Sequence, residues 1–140
     1  MLTRWIVKLL GGERPPDPVP YDGPGLYAVK VSGTSHYQDA LEKIAGGKTE
    51  DGLRPGDLQV TALAAPDALN PVDPRTVAIW IDGHHVGHLP ANLHGGWYAM
   101  LRASGLHPRT AIQLNAELRG GWRRGDDEGS YGVRLDLDVT

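Results

Sequence analysis

The chain has 140 residues, 40% of them hydrophobic, with a net charge of −3 and no cysteine. That length supports one domain with a core of its own. The missing cysteines exclude disulfides and thiolate metal sites, and the charge argues against a broad basic surface that coats nucleic acid. No run approaches the roughly 18 to 20 apolar residues of a membrane span.

Leu2 to Leu10 reads as a short helix with Trp5, Ile6, Leu9 and Leu10 on one side, stopped by Gly11 and Gly12. It lacks the long apolar run and small-residue cleavage site of a signal peptide, so a cytoplasmic protein is expected. Pro15, Pro16, Pro18, Pro20 and Pro24 make Glu13 to Gly25 an extended linker. Residues 1–25 are therefore an arm that either wraps the domain or trails in solvent. Trp5 points to docking of that arm, in cis or onto a protein partner.

The domain proper spans residues 26–140. Leu26 to Ser32 is predicted as a strand. Ser35 and Gln38 have capping-box spacing, and Tyr37, Leu41 and Ile44 give the apolar face of a helix over Ser35–Ala45 that Gly46 and Gly47 end. Lys48 to Gly56 is a polar loop. Leu58, Val60, Ala62 and Ala64 alternate with Gln59 and Thr61 in a second strand. Thr76 to Asp82 and His85 to Leu89 form a hairpin about Asp82-Gly83. Pro90 opens a second helix to about Ser104, with Leu93, Trp97, Met100 and Leu101 as its core stripe. Gly95 and Gly96 each weaken that helix by roughly 1 kcal/mol. Ile112 to Leu118 and Tyr131 to Val139 alternate as the last two strands, joined by the Gly-rich charged stretch Arg119 to Ser130. Six short strands with two inserted helices predict a mainly β, α+β fold: a small six-stranded barrel that removes exposed edges.

Asn70 to Pro90, NPVDPRTVAIWIDGHHVGHLP, is the most distinctive segment. Pro71 and Pro74 stiffen the loop that carries Asn70 and Asp73. A rigid polar loop at the end of a strand pair suits recognition, although both side chains also suit turn capping. The pattern NPxDxxxVxVxxxGxxVGHLP resembles the signature of the HIRAN domain. The resemblance extends to Val31-Ser-Gly-Thr-Ser-His-Tyr-Gln38, and through Leu93–Leu101 to the last strand, covering roughly Leu26 to Val139. It implies a modified OB-fold barrel that binds single-stranded DNA or DNA 3′ ends in repair or replication. It also implies that His36, Tyr37, Asn70, Asp73 and His88 frame the ligand, with Asp73 near the end hydroxyl. Val72 stands where end-binding relatives carry a stacking aromatic. Ser35 and His36 replace an Arg-Tyr pair, and Pro90 and Ala91 replace lysines, so weakened affinity is expected.

Arg119, Trp122, Arg123 and Arg124 form a second basic and aromatic grouping, either a solvated tip or an auxiliary backbone clamp. His84, His85 and His88 are close in sequence, but strand alternation puts His85 and His88 on opposite faces, and no metal or other cofactor is expected. No cysteine nucleophile, G-x-S-x-G elbow or P-loop is present, so the expected role is non-catalytic nucleic-acid binding. The alternative is a protein-interaction or scaffold domain on the same barrel.

Overall fold

A computed structural model describes residues 17–139. The helix expected over Leu2–Leu10, and Trp5 with it, lies outside the described residues. The elements are β1 (Val19–Pro20), β2 (Val29–Lys30), α1 (Gln38–Ala45), β3 (Leu53–Pro66), β4 (Val77–Ile81), β5 (His84–His88), α2 (His94–Ala103), β6 (Ile112–Gly120), β7 (Arg123–Arg124), β8 (Asp127–Glu128) and β9 (Tyr131–Leu135). A short 3₁₀ turn precedes each helix. The protein is mainly β with two helices.

Six strands run in the order β2-β9-β6-β3-β4-β5, each pair antiparallel, and the sheet curls into a half-barrel. Its inner face is the set of apolar positions that alternation marks. Ala62 and Ala64 of β3, Ile79 and Ile81 of β4, Leu114, Ala116 and Leu118 of β6, and Val133 and Leu135 of β9 are all buried in one core. The two outer strands meet at one point, where Ser32 and His88 exchange both backbone bonds, at 2.8 and 2.9 Å. Gly87 makes this approach possible. A Cβ there would stand 2.5 Å from the Ser32 carbonyl oxygen, and its φ of 148° is open mainly to glycine.

Trp97 is fully buried, as its stripe with Leu93 and Leu101 predicts. Gly96, expected only to weaken α2, has a packing reason: a Cβ on it would overlap the Val139 carbonyl oxygen. The segment after the last strand thus passes the helix at Gly96 closer than a side chain there permits.

Several expectations need correction. The strand over Leu26–Ser32 shrinks to Val29–Lys30, because Gly25, Leu26 and Tyr27 turn their amides onto the carboxylate of Asp136 instead of onto a neighbouring strand. Gln38 makes no capping box. Its amide donates to the Thr34 and Tyr131 carbonyls and accepts from the Tyr131 amide, so α1 begins three residues late and is tied to β9. β3 starts at Leu53, inside the expected polar loop, and its register with β6 is irregular between Leu53 and Leu58. The last strand ends at Leu135, not Val139. The stretch Arg119–Ser130 contains the small hairpin β7-β8. Val19–Pro20 of the Pro-rich arm pairs in parallel with Ile112–Gln113, along the edge of β6 ahead of where β9 joins it.

Candidate functional site

The hairpin β4-β5 carries a bulge that changes which side chains share a face. Ile79 pairs with Gly87, but Trp80 pairs with His85, so Val86 is an extra residue. Ile79, Ile81 and Val86 are in the core. Trp80 therefore points outward, and its partner His85 lies on the same outer face. His88 pairs with Ala78, two residues before Trp80, and shares that face too. Plain alternation separates the two histidines; the bulge reunites them.

On that face Tyr37, at the start of α1, packs against His85 with ring centroids 4.6 Å apart, and Trp80 stacks on His85 at 4.9 Å and 16°. The result is an aromatic row in the order Tyr37, His85, Trp80, each half-buried. The His85 Nε2 lies 3.0 Å from the Gly87 carbonyl oxygen. Burial lowers the His85 pKa below its ordinary value; the Gly87 carbonyl and Asp67 offset part of that, and His88 adds to it. The imidazole is thus neutral at physiological pH and donates to Gly87, which fixes its ring plane. His36 is exposed one residue before Tyr37, and the exposed His88 ring lies against Gly33. A trough of about 500 Å³ runs past this end of the molecule, lined by Lys30, Ser32, Thr34, Ser35 and Pro90.

Of the five framing residues, His36, Tyr37 and His88 fall at this one end, where β5 meets the turn before α1. Asn70 and Asp73 are held differently. The Asn70 Oδ1 accepts from the Val72 and Asp73 amides at 3.0 and 3.1 Å, and its Nδ2 donates to Asp67. The Asp73 Oδ1 accepts from the Arg75 amide at 2.8 Å, while Oδ2 lies 3.6 Å from Nδ1 of the buried His94. The Pro-bracketed loop is thus a pair of side-chain turns docked on α2. Tyr98 adds to the docking, donating to the Arg75 carbonyl at 3.2 Å under the Arg75 guanidinium. At the loop tip Val72 is 92% exposed and Leu69 67%.

The Arg119 grouping is largely committed within the protein. Arg119 donates to Glu117, a 2%-exposed carboxylate that also accepts from the Gly56 amide. Arg123 pairs with Glu128 at 3.1 Å, and Lys48 pairs with the same carboxylate at 3.0 Å, which together lower the Glu128 pKa. Arg124 lies 5.0 Å over the Trp122 ring and donates to the Glu50 carbonyl. The charges of Arg119 and Arg123 are thus paired with carboxylates, whereas Arg124 is held by a carbonyl and a ring face.

Residue-by-residue reading missed Trp80, His85 and Lys30. Trp80 was legible, because alternation with Ile79 and Ile81 turns it outward. His85 was not, because its face depends on the bulge. Among the described residues, no group of three histidine, aspartate or glutamate side chains is disposed to hold a metal ion. Compared with protein-family models, curated proteins and solved structures, the chain matches none.

Proposed function

We propose that this chain is a non-catalytic nucleic-acid-binding module, with an OB-like barrel, that takes single-stranded DNA or DNA 3′ ends in repair or replication. The observation that carries the reading is the outer-face aromatic row of Tyr37, His85 and Trp80 between exposed His36 and His88. Bases stack on such platforms for about 1 to 3 kcal/mol each, without sequence preference. The hydroxyls of Ser32, Thr34 and Ser35, with Lys30, give the neighbouring trough donors suited to a phosphate backbone. Val72 offers no ring, and Arg119 and Arg123 are paired with carboxylates, so affinity is micromolar or weaker and depends on a few contacts.

Fluorescence anisotropy with 3′-hydroxyl, 3′-phosphate and blunt oligonucleotides over a salt series tests this. Single strands bind better than duplex, and affinity falls with added salt. His36→Ala and Tyr37→Ala weaken every oligonucleotide. Asp73→Ala removes any preference for a free 3′-hydroxyl, because a carboxylate accepts from a hydroxyl and repels a phosphate. No binding to any end type at low salt sinks the reading. The second reading, a protein-interaction or scaffold domain, then takes its place. The exposed Leu69 and Val72 at a stiff loop tip favour it.

A further inference from the structure

The place where β2 and β5 part has features that the nucleic-acid reading does not use. The Val31 amide donates to the Val133 carbonyl at 3.0 Å, and Val29 pairs with Leu135 in the same register. In an antiparallel ladder, the residues between such hydrogen-bonded pairs turn their N–H and C=O groups the other way. Lys30, opposite Arg134, therefore presents its backbone groups away from β9, and Ala28, two residues earlier and just outside β2, faces the same way by alternation. Two residues on, Ser32 uses its outward groups to bond His88. Continued one step, that ladder pairs Lys30 with Pro90. Proline has no N–H, and the Pro90 carbonyl is taken by the Leu93 amide at 2.9 Å as the chain turns into α2. The ladder stops there. Among the described residues, the outward backbone groups of Ala28 and Lys30 have no partner.

A groove of about 410 Å³ lies beyond this point, with Leu26, Val29, Leu93 and Leu137 among its apolar walls and Pro90 also in its lining. Leu26 is 72% exposed, an unusual state for a leucine beside a groove. Lys30 stands where the apolar groove adjoins the hydroxyl-lined trough and lines both. No ion pair to it exists among the described residues.

We propose that this edge binds the C-terminal end of another polypeptide by strand addition. Unpaired N–H and C=O groups at strand spacing are satisfied by an extended backbone. Apolar walls beside them take the last aliphatic side chains. The outward groups of Ser32 are already bonded to His88 and Pro90 has no N–H to offer, so an added strand has no backbone partners past Lys30 and terminates there. A peptide running parallel to β2 ends at Lys30, where its terminal carboxylate meets the lysine ammonium group in a groove whose lining also includes Asp138. The site lies beside the barrel end proposed for nucleic acid and shares Lys30 with it, while the backbone edge and the apolar walls belong to this site alone.

The test uses the full chain and a set of fluorescein-labelled hexapeptides with free C-termini, ending in valine, leucine, phenylalanine or lysine, each paired with its C-terminal amide. An aliphatic free acid binds and shifts the NMR amide signals of Ala28 and Lys30, while its amide binds about tenfold more weakly, one charged contact having been lost. Leu26→Glu changes an exposed side chain and spares the core, yet abolishes binding. Ala28→Pro, which deletes one edge donor, does the same, and both variants keep the wild-type circular dichroism spectrum and oligonucleotide affinity. Lys30→Glu removes the preference for acid over amide. Equal binding of acid and amide overturns the proposal. So does the absence of any shift at Ala28 and Lys30 across the peptide set, and so does a shift confined to the outer face around Tyr37 and His85.

Discussion

Replacing Asp136 is the sharpest probe of how the groove wall is built. The side chain is 3% exposed, and both of its oxygens accept from the Gly25 amide, at 2.8 and 3.1 Å. Leu26 donates to it at 3.1 Å and Tyr27 at 3.4 Å. This grip holds Gly25 at φ 83° and Tyr27 at φ 48°, the latter a conformation that a non-glycine residue adopts only when its surroundings enforce it. A hydrogen bond to a charged group contributes about 1.5 to 3 kcal/mol net. The three amides share one carboxylate and lie near enough to solvent to be partly rehydrated, so their contributions do not add fully. Asp136→Ala is expected to cost about 3 kcal/mol, a fall of about 10 °C in melting temperature for a domain of this size. Asp136→Asn is expected to cost about 2 kcal/mol, because it keeps one acceptor and points an amide at three donors. Urea denaturation followed by circular dichroism measures both, and hydrogen exchange at Gly25 and Leu26 should speed up in parallel. An Asp136→Ala variant with the wild-type urea midpoint and slope would refute the reasoning, since Gly25–Tyr27 would then hold its shape without the carboxylate.

Trp97→Ala removes a fully buried indole and should cost about 3 to 5 kcal/mol in urea denaturation; an unchanged midpoint would return the indole to the surface. Gly96→Ala should destabilise despite a gain of about 1 kcal/mol in helix propensity, and a rise in melting temperature would show that α2 and Val139 are not in close approach. The folded state lowers the His85 pKa below its unfolded value near 6.5, so the unfolded chain binds the proton more readily. Stability from this residue is complete above that value and is lost as pH falls through 6.5 towards the folded pKa. Comparing melting temperatures across that window for wild type and His85→Gln checks it: the difference between the two should shrink on acidification, and a parallel pair of curves would count against the buried, neutral ring.

Much of the architecture could be read from local pattern. Alternation in Leu58–Ala64 and Ile112–Leu118, the Asp82-Gly83 turn and the stripe through Trp97 each follow from the residues concerned, and each is present. What escaped depends on partners far away in sequence. The loss of a strand at Leu26 requires Asp136, which lies 110 positions further on. The role of Gln38 requires the backbone of Tyr131, which lies 93 positions further on. The early start of β3 is imposed by Gly120, which pairs with Leu53 across a glycine- and proline-rich stretch with little propensity of its own. At the candidate site, His36, Tyr37 and His88 were legible as a group through the two sequence blocks that carry them. The turn roles of Asn70 and Asp73 had been open as an alternative, and the loop geometry makes both side chains structural whatever else they contact. The engagement of Arg119 by Glu117 follows from the extended backbone of β6, which sets residues i and i+2 side by side. On a strand such residues share a face.

The extra residue at Val86 makes the hairpin count in a way that ordinary substitution does not probe. Deleting one residue there restores strict alternation, so either His85 rotates into the core or Gly87 and His88 lose the meeting with Ser32. No intermediate arrangement keeps both. The hairpin's length is therefore under tighter constraint than the identity of most of its side chains. A chain of this fold one residue shorter between Trp80 and Leu89 would need a different outer face and a different junction between the two edge strands of its sheet.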